Sequence, residues 1–312
     1  MNGAHKDGAV LATAVIGWTE AWQVDVEAFE RQITGLLDHG LTDLYLFGTA
    51  GEGYAVCDEQ FGAVTRRFAT RLIDAGLDPM VGIISLSVPT TIQRVNTARR
   101  AGVHRFQLSM PSWGTLDADE TTVFFEDVLG SFRDCEFLHY NTVRSGRVLT
   151  GPEYARLCAR HPNLVATKQS TGDMGNIRSL MEDAPQVRHY FTEQGYAYAR
   201  LLGDCGLLAS VSLSNPEQAH RYTTCDADER LAREAELHRM AVVLKDVAGG
   251  DRLIDGAYDK VLWKLHDPSF PLRMCPPHAS ARDDASSRYA DWLTAQVPRW
   301  APPERRSRRL PA

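Results

Sequence analysis

Eight short apolar runs, spaced by amphipathic stretches, constrain this chain more than any other feature. They fall at residues 10–16, 44–47, 80–86, 105–110, 137–141, 164–168, 187–192 and 206–212. Runs this short and this apolar suit strands buried on both faces, as parallel sheets require. The stretches between them carry helical spacing, as in Val26, Phe29, Ile33, Leu36 and Leu37 before Gly40. Others are Phe61, Val64, Phe68 and Leu72, and Val123, Phe124, Val128, Leu129 and Phe132. Strand–helix units repeating at roughly 25–30 residues predict an α/β fold, a (β/α)8 TIM barrel. An open doubly wound sheet would alternate similarly. The count of eight and the lack of a G-x-G-x-x-G after the first run favour the barrel.

After Asn215 the pattern changes to helices without strands, at 226–247, 255–265 and 286–297. The expected organisation is a catalytic barrel over 1–225, a C-terminal helical appendix over 226–300 and a disordered tail over 301–312. The one basic cluster, Arg305 to Arg309, lies in that tail, and the net charge of −6 gives no reason to expect a nucleic-acid partner. Six cysteines without a C-x-x-C pair argue against a disulfide framework or zinc ribbon and fit a reducing compartment. No apolar run approaches membrane-spanning length. Residues 9–18 mimic a signal-peptide core, but Asp7 offsets Lys6 before them, so a first buried strand explains them better. The expected location is cytoplasmic, with no membrane partner.

Barrels of this type carry their active sites at the C-terminal ends of the strands. The second run ends in Gly48-Thr49-Ala50-Gly51-Glu52-Gly53, a turn shaped for close backbone approach to a small anion, followed by Asp58 as a helix cap. Glycine-rich turns also serve packing alone. The fourth run ends in Met110-Pro111-Ser112-Trp113, the fifth in Tyr140-Asn141, and the sixth in Lys168-Gln169-Ser170. The eighth ends in Ser212, Ser214 and Asn215. A lysine at such a mouth is desolvated, which favours the neutral amine that attacks carbonyls and forms Schiff bases. It could equally reach solvent or pair with Glu52 or Asp173. Tyr140 is placed to move protons beside it, or to be a packed core phenol. Thr49 could relay a proton to Tyr140. His139 should point outward by strand alternation. The ten histidines form no H-x-H or H-E-x-x-H, and no G-x-S-x-G elbow exists, so neither metal nor serine chemistry is expected.

Taken together, Gly48-Thr49-Ala50-Gly51-Glu52, Tyr140-Asn141, and Lys168 with Thr171-Gly172-Asp173 resemble the dihydrodipicolinate synthase / N-acetylneuraminate lyase family. The resemblance covers the whole barrel, about residues 10–221. It implies a class I aldolase or dehydratase, a homo-oligomer (dimer or tetramer), acting on pyruvate or another 2-oxo acid without a separate cofactor. On that resemblance Lys168 would form the Schiff base and Tyr140 would be the general acid/base. The Thr49 and Ala50 amides of the Gly48 turn would hold the substrate carboxylate, and the Thr49 hydroxyl would relay protons. Arg144, Trp113 and Ser212 are further candidates for substrate contact, and an aldehyde is the expected second substrate.

The chain also departs from the family pattern. Ala50 stands where a second Thr or Ser is common, and Trp113 where the synthase has a relay tyrosine. The segment from Thr142 to Gly146 lacks the usual proline, and Gln169-Ser170 follow the lysine where an acidic residue is frequent. Trp113 and Tyr196 suggest an aromatic acceptor pocket. The rival readings are a dehydratase or deaminase using the same Schiff base, and a non-catalytic 2-oxo-acid binding protein.

Overall fold

The computed structural model describes residues 8–303. Eight parallel strands close into a barrel in sequence order, β1 to β8, with β8 pairing back onto β1. They are β1 (Val10–Ala14), β2 (Asp43–Leu46), β3 (Met80–Gly82), β4 (Arg105–Leu108), β5 (Glu136–Asn141), β6 (Leu164–Gln169), β7 (Arg188–Phe191) and β8 (Gly206–Leu208). Outside run α1 (Val26–Asp38), α2 (Asp58–Asp74), α3 (Val88–Arg99), α4 (Ala118–Leu129), α5 (Gly151–Arg160), α6 (Met174–Asp183), α7 (Glu193–Ala199) and α8 (Pro216–Thr224). Three further helices follow, α9 (Ala227–Ala248), α10 (Asp255–His266) and α11 (Ala285–Gln296). The expected fold is therefore the observed one. The basic cluster and most of the expected tail lie outside the described residues.

Two apolar layers account for the closure. Leu11, Tyr45, Met80, Leu138, Ala166, Tyr190 and Leu208 fill the barrel interior. A larger set, including Phe29, Phe68, Phe106 and Phe125, packs the strands' outer faces against the helices. Register then fixes which side chains share the axis. Tyr140 lies beside Lys168, which lies beside Tyr190, and Thr13 lies beside Tyr45. Inside the barrel Asp43 accepts from Arg105 at 3.1 Å and from the Tyr190 hydroxyl at 2.8 Å, so these two charges are paired with each other. His139 points outward as expected, its Nδ1 2.7 Å from the Tyr154 hydroxyl, and burial pushes its pKa down to about 3.

Several expectations need correction. Strands β1, β3, β4, β7 and β8 are shorter than their apolar runs and β2 ends one residue before its run does; Val15, Ile16, Phe47, Ile83 and Ala209 are buried in loops at the barrel mouth instead of in the ladder. Cys57 precedes α2 as its cap, and its amide donates to Gln60 Oε1 at 3.2 Å; Asp58 is already helical. Val123 is exposed, and Phe125 takes its place on the buried face of α4. The sequence reading missed α8, which Asn215 caps through Gln218 N at 3.4 Å. None of the described helices is long and apolar enough to cross a membrane.

Candidate active site

The Gly48–Gly53 turn follows β2 and is built differently from its glycine count. The left-handed residues are Phe47 (φ 60°) and Glu52 (φ 51°), each strained by roughly 1–2 kcal/mol. Ring stacking of Phe47 on Phe61, with centroids 5.3 Å apart, helps hold that conformation. Glycine is needed at 53 because a Cβ there would lie 2.2 Å from the Phe47 carbonyl oxygen. Arg94 of α3 clamps the turn from outside, donating to Gly53 O at 3.0 Å and Val56 O at 3.3 Å. Gly53→Ala should therefore cost at least about 1–3 kcal/mol of unfolding free energy by overpacking against backbone. Urea unfolding checks this, and a loss under about 0.5 kcal/mol would contradict the close approach. The amides of Thr49 and Ala50 donate to no acceptor among the described residues. The turn thus carries two such N–H groups in succession at the barrel mouth; Ala50 lines the cavity, and Thr49 is buried beside it.

Lys168 ends β6 with its side chain inside the barrel, buried to 4% exposure. Its Nζ donates to the Tyr45 hydroxyl at 2.9 Å and lies 3.5 Å from Gln107 Oε1. It also stands 4.0 Å from the Tyr140 ring centroid and 4.6 Å from that of Tyr45. The amine is thus held between two aromatic faces, contacts worth about 0.5–2 kcal/mol each for an ammonium. The expected fall in its pKa does not follow. Burial pushes it down, but Tyr45 and Tyr140 and, more distantly, Asp255 outweigh burial, and the balance lies above the ordinary lysine value. The resting amine is charged. Burial raises the Tyr45 hydroxyl pKa, so at neutral pH that hydroxyl stays a neutral acceptor for the ammonium. Lys168 pairs with neither Glu52 nor Asp173.

Tyr140 is buried, with its hydroxyl 3.5 Å from Ser170 Oγ. The expected relay from Thr49 to Tyr140 is not formed, because the neighbour of the Tyr140 hydroxyl comes from the β6 loop and not from the β2 turn. Asn141 fixes the end of β5 through Leu149 O at 2.9 Å and Gln169 Oε1 at 3.0 Å.

The cavity above the amine has a volume of about 270 Å³, more than a three-carbon acid needs. Thr13, Tyr45, Ala50, Tyr140, Arg144, Lys168, Ser170 and Ser210 line it from the barrel side. Its roof comes from the C-terminal helices. Ala241, Leu244 and Lys245 descend from α9, and Asp255, Tyr258 and Asp259 from α10. The appendix is part of the site. Arg144 reaches across the mouth to Asp255 Oδ1 at 2.9 Å. Gly256 lets α10 lie against the turn, since a Cβ there would meet the Ala50 carbonyl oxygen at 2.7 Å.

A second attachment joins roof to turn. The Glu52 carboxylate, fully buried, accepts from the Lys260 ammonium, from Trp18 Nε1 at 2.9 Å and from the Cys275 amide at 3.0 Å. Lys260 donates in addition to Arg273 O at 2.6 Å. Glu52 is therefore the anchor of the appendix.

Three candidates are not where the sequence reading expected. Trp113 is 90% exposed and is not among the residues that line the cavity. Ser212 is fully buried and donates its hydroxyl to Glu193 Oε1 at 2.9 Å, so Ser210 lines the cavity instead. Tyr196 is a packing residue whose hydroxyl lies 3.3 Å from Thr223 O. Gly48 sits beneath the cavity, where a Cβ would lie 2.5 Å from the Tyr45 ring. Tyr45, Thr13 and the α10 carboxylates were missed. Their signal was strand parity and an i, i+3, i+4 polar face on α10, which mean something only once the barrel is closed.

Among the described residues one group could gather around a metal ion, His104, Asp134 and Cys135, which precede β4 and β5 at the opposite end of the barrel. Asp134 is already engaged by Arg99, and burial raises the Cys135 thiol pKa, so this is a poor donor set.

Fold and mouth together define a (β/α)8-barrel protein whose pocket is organised around a buried amine. The chain belongs to the dihydrodipicolinate synthetase family, whose model matches residues 7–222. It is 27% identical over 178 residues to a 4-hydroxy-tetrahydrodipicolinate synthase of Exiguobacterium sibiricum, covering 57% of this chain and 59% of the relative's length. A second such synthase, of Thermotoga neapolitana, is 22% identical over 235 residues, covering 73% of this chain and 79% of the relative. In fold, the chain is similar to YagE, a prophage protein of the dihydrodipicolinic acid synthase family from E. coli K12 solved in complex with pyruvate. That likeness has a TM-score of 0.80 at 19% identity, covering 92% of this chain and 97% of the other.

Proposed function

We propose that this protein is a Schiff-base-forming lyase of aldolase type that acts on pyruvate or another 2-oxo acid through Lys168. One observation carries the reading. A buried amine rests against the Tyr140 ring at the floor of a cavity that opens beside two unpartnered backbone amides. The amides of Thr49 and Ala50 receive the substrate carboxylate, and the keto carbon then faces the amine. Arg144, already paired with Asp255, adds positive charge at the mouth for a second acidic group.

The chemistry follows in order. Lys168 gives up one proton to solvent through the open cavity, and its lone pair attacks C2 of the 2-oxo acid as the C=O π electrons move to oxygen. The proton that the nitrogen then releases passes to that oxygen, which becomes a carbinolamine hydroxyl. Tyr140 protonates that hydroxyl, water leaves and the iminium forms. Lysine itself supplies the electron sink, so the reading asks for no cofactor and no metal. An aldehyde is the expected second substrate, and a homo-oligomer is the assembly implied by the resemblance, which light scattering checks.

Two measurements test the reading. Borohydride reduction of the folded protein with a panel of 2-oxo acids should add one reduced adduct. No adduct across the panel would overturn it. The pH trend is the second. Because the resting amine is held charged, with its pKa above the usual lysine value, the attacking form grows as pH rises. The rate of imine formation should therefore increase from neutral into the alkaline range, and a falling profile would contradict the account.

A further inference from the structure

Seven titratable side chains besides Lys168 line the cavity, and six have a partner. Tyr45 accepts from Lys168, and Tyr140 lies against the amine with its hydroxyl near Ser170. Arg144 and Asp255 pair with each other, and Tyr258 donates to Gly250 O at 2.6 Å. Lys245, also at the rim, stands 3.7 Å from Asp251. The seventh is Asp259. The Asp259 carboxylate accepts no hydrogen bond from any other described residue and faces the cavity from the roof.

Its position is informative. Asp259 shares its part of the wall with Thr13 of β1, whereas Tyr140 belongs to β5, the strand diametrically opposite in a closed eight-stranded order. The amine lies 4.0 Å from the Tyr140 ring centroid and interacts electrostatically with Asp259. Behind Asp259 is a second cavity of about 20 Å³, large enough for one water, bounded by Thr13, Gln32 and Trp263, whose indole N–H has no partner.

We propose that Asp259 is the base that takes the C3 proton of the Schiff-base-bound 2-oxo acid, making the enamine, and returns it in the reverse step. This rests on Lys168 forming the Schiff base. In the step, the C3–H bond breaks and its electron pair forms the C2=C3 double bond. The C2=N π electrons become the lone pair of a neutral enamine nitrogen, and the proton passes to the Asp259 carboxylate. Tyr140 and Asp259 thereby divide the proton traffic, the phenol serving the carbinolamine oxygen and the carboxylate serving carbon. Burial, with the nearby Asp255 adding repulsion, pushes the Asp259 pKa up to about 8, while Lys168 pulls it down and Glu193 adds a smaller push upward. A carboxyl poised there exchanges protons in both directions near neutral pH.

The test uses pyruvate alone with the full chain, wild type and Asp259→Asn. Two quantities are read, the borohydride adduct on Lys168, and the loss of the pyruvate methyl signal by NMR in D2O. The expected result is an adduct within about threefold of wild type and methyl exchange slowed at least about 100-fold, the usual weight of a general base. Asp259→Glu should restore exchange to within about tenfold of wild type while leaving the adduct unchanged. Unchanged exchange in Asp259→Asn overturns the proposal, as does a parallel loss of adduct and exchange that Asp259→Glu does not relieve. A wild-type protein that forms no adduct with any 2-oxo acid would instead count against the Schiff-base reading itself.

Discussion

Lys168→Ala is expected to eliminate the borohydride adduct and to reduce turnover by about 10⁴–10⁶-fold, the scale on which removal of an attacking group is felt. No other amine can substitute. Lys245 at the rim stands by Asp251, and Lys260 is locked under Glu52 and the Arg273 carbonyl. The substitution should leave the fold intact, because it removes a buried cation whose desolvation opposes burial and leaves Tyr45 facing a wet cavity. A melting temperature within a few degrees of wild type, together with lost adduct, separates chemistry from folding. Residual adduct in the variant would move the Schiff base to another residue.

The second large effect is structural. Lys260→Met should lower stability by about 3–5 kcal/mol, because it leaves the fully buried Glu52 carboxylate without its cation. For a chain of this size the melting temperature should fall on the order of 10 °C. Trp18 and the Cys275 amide remain as donors, so the loss is that of charge, not of every hydrogen bond. Glu52→Gln combined with Lys260→Met should recover part of it, since the amide can still accept from Trp18. Calorimetry of the single and double variants decides the matter. A double variant less stable than the sum of the singles would contradict the pairing. Because Glu52 ties α10 to the carboxylate turn, Lys260→Met should also weaken 2-oxo-acid binding at temperatures where the protein stays folded.

Much of this molecule was legible in its sequence. The eight strands could be found because each is buried on both faces, and Lys168 and Tyr140 could be placed because both close such runs. Strand ends were less legible, since Phe47 and Ile83 are as apolar as ladder residues yet form the floor of the mouth. Tyr45 read as an ordinary strand former. Only closure, which puts β2 across the axis from β6, makes it the hydrogen-bond partner of the lysine. Trp113 misled in the opposite sense, because a strand-end position does not say whether a loop residue lines the cavity. The α10 carboxylates are the clearest case. Nothing in the sequence singles out Asp255 and Asp259 within a helix that follows the barrel, and their place in the cavity depends on a packing that links residues some two hundred positions apart in the chain.

The Gly48–Gly53 turn changed meaning as well. Its glycines are there for close approach to Phe47 and Tyr45, while the strain sits on Phe47 and Glu52. The turn thus serves two masters, carrying the two amides at the mouth and anchoring the roof through Glu52.

The central claim is tested most directly by a crystal structure of the protein soaked with pyruvate. The account predicts continuous density from Lys168 Nζ to C2 of the ligand, with its carboxylate on the Thr49 and Ala50 amides and the Tyr45 hydroxyl released from the amine. Pyruvate bound without a covalent link while Lys168 stays on Tyr45, or a carboxylate held elsewhere than on that turn, would contradict it.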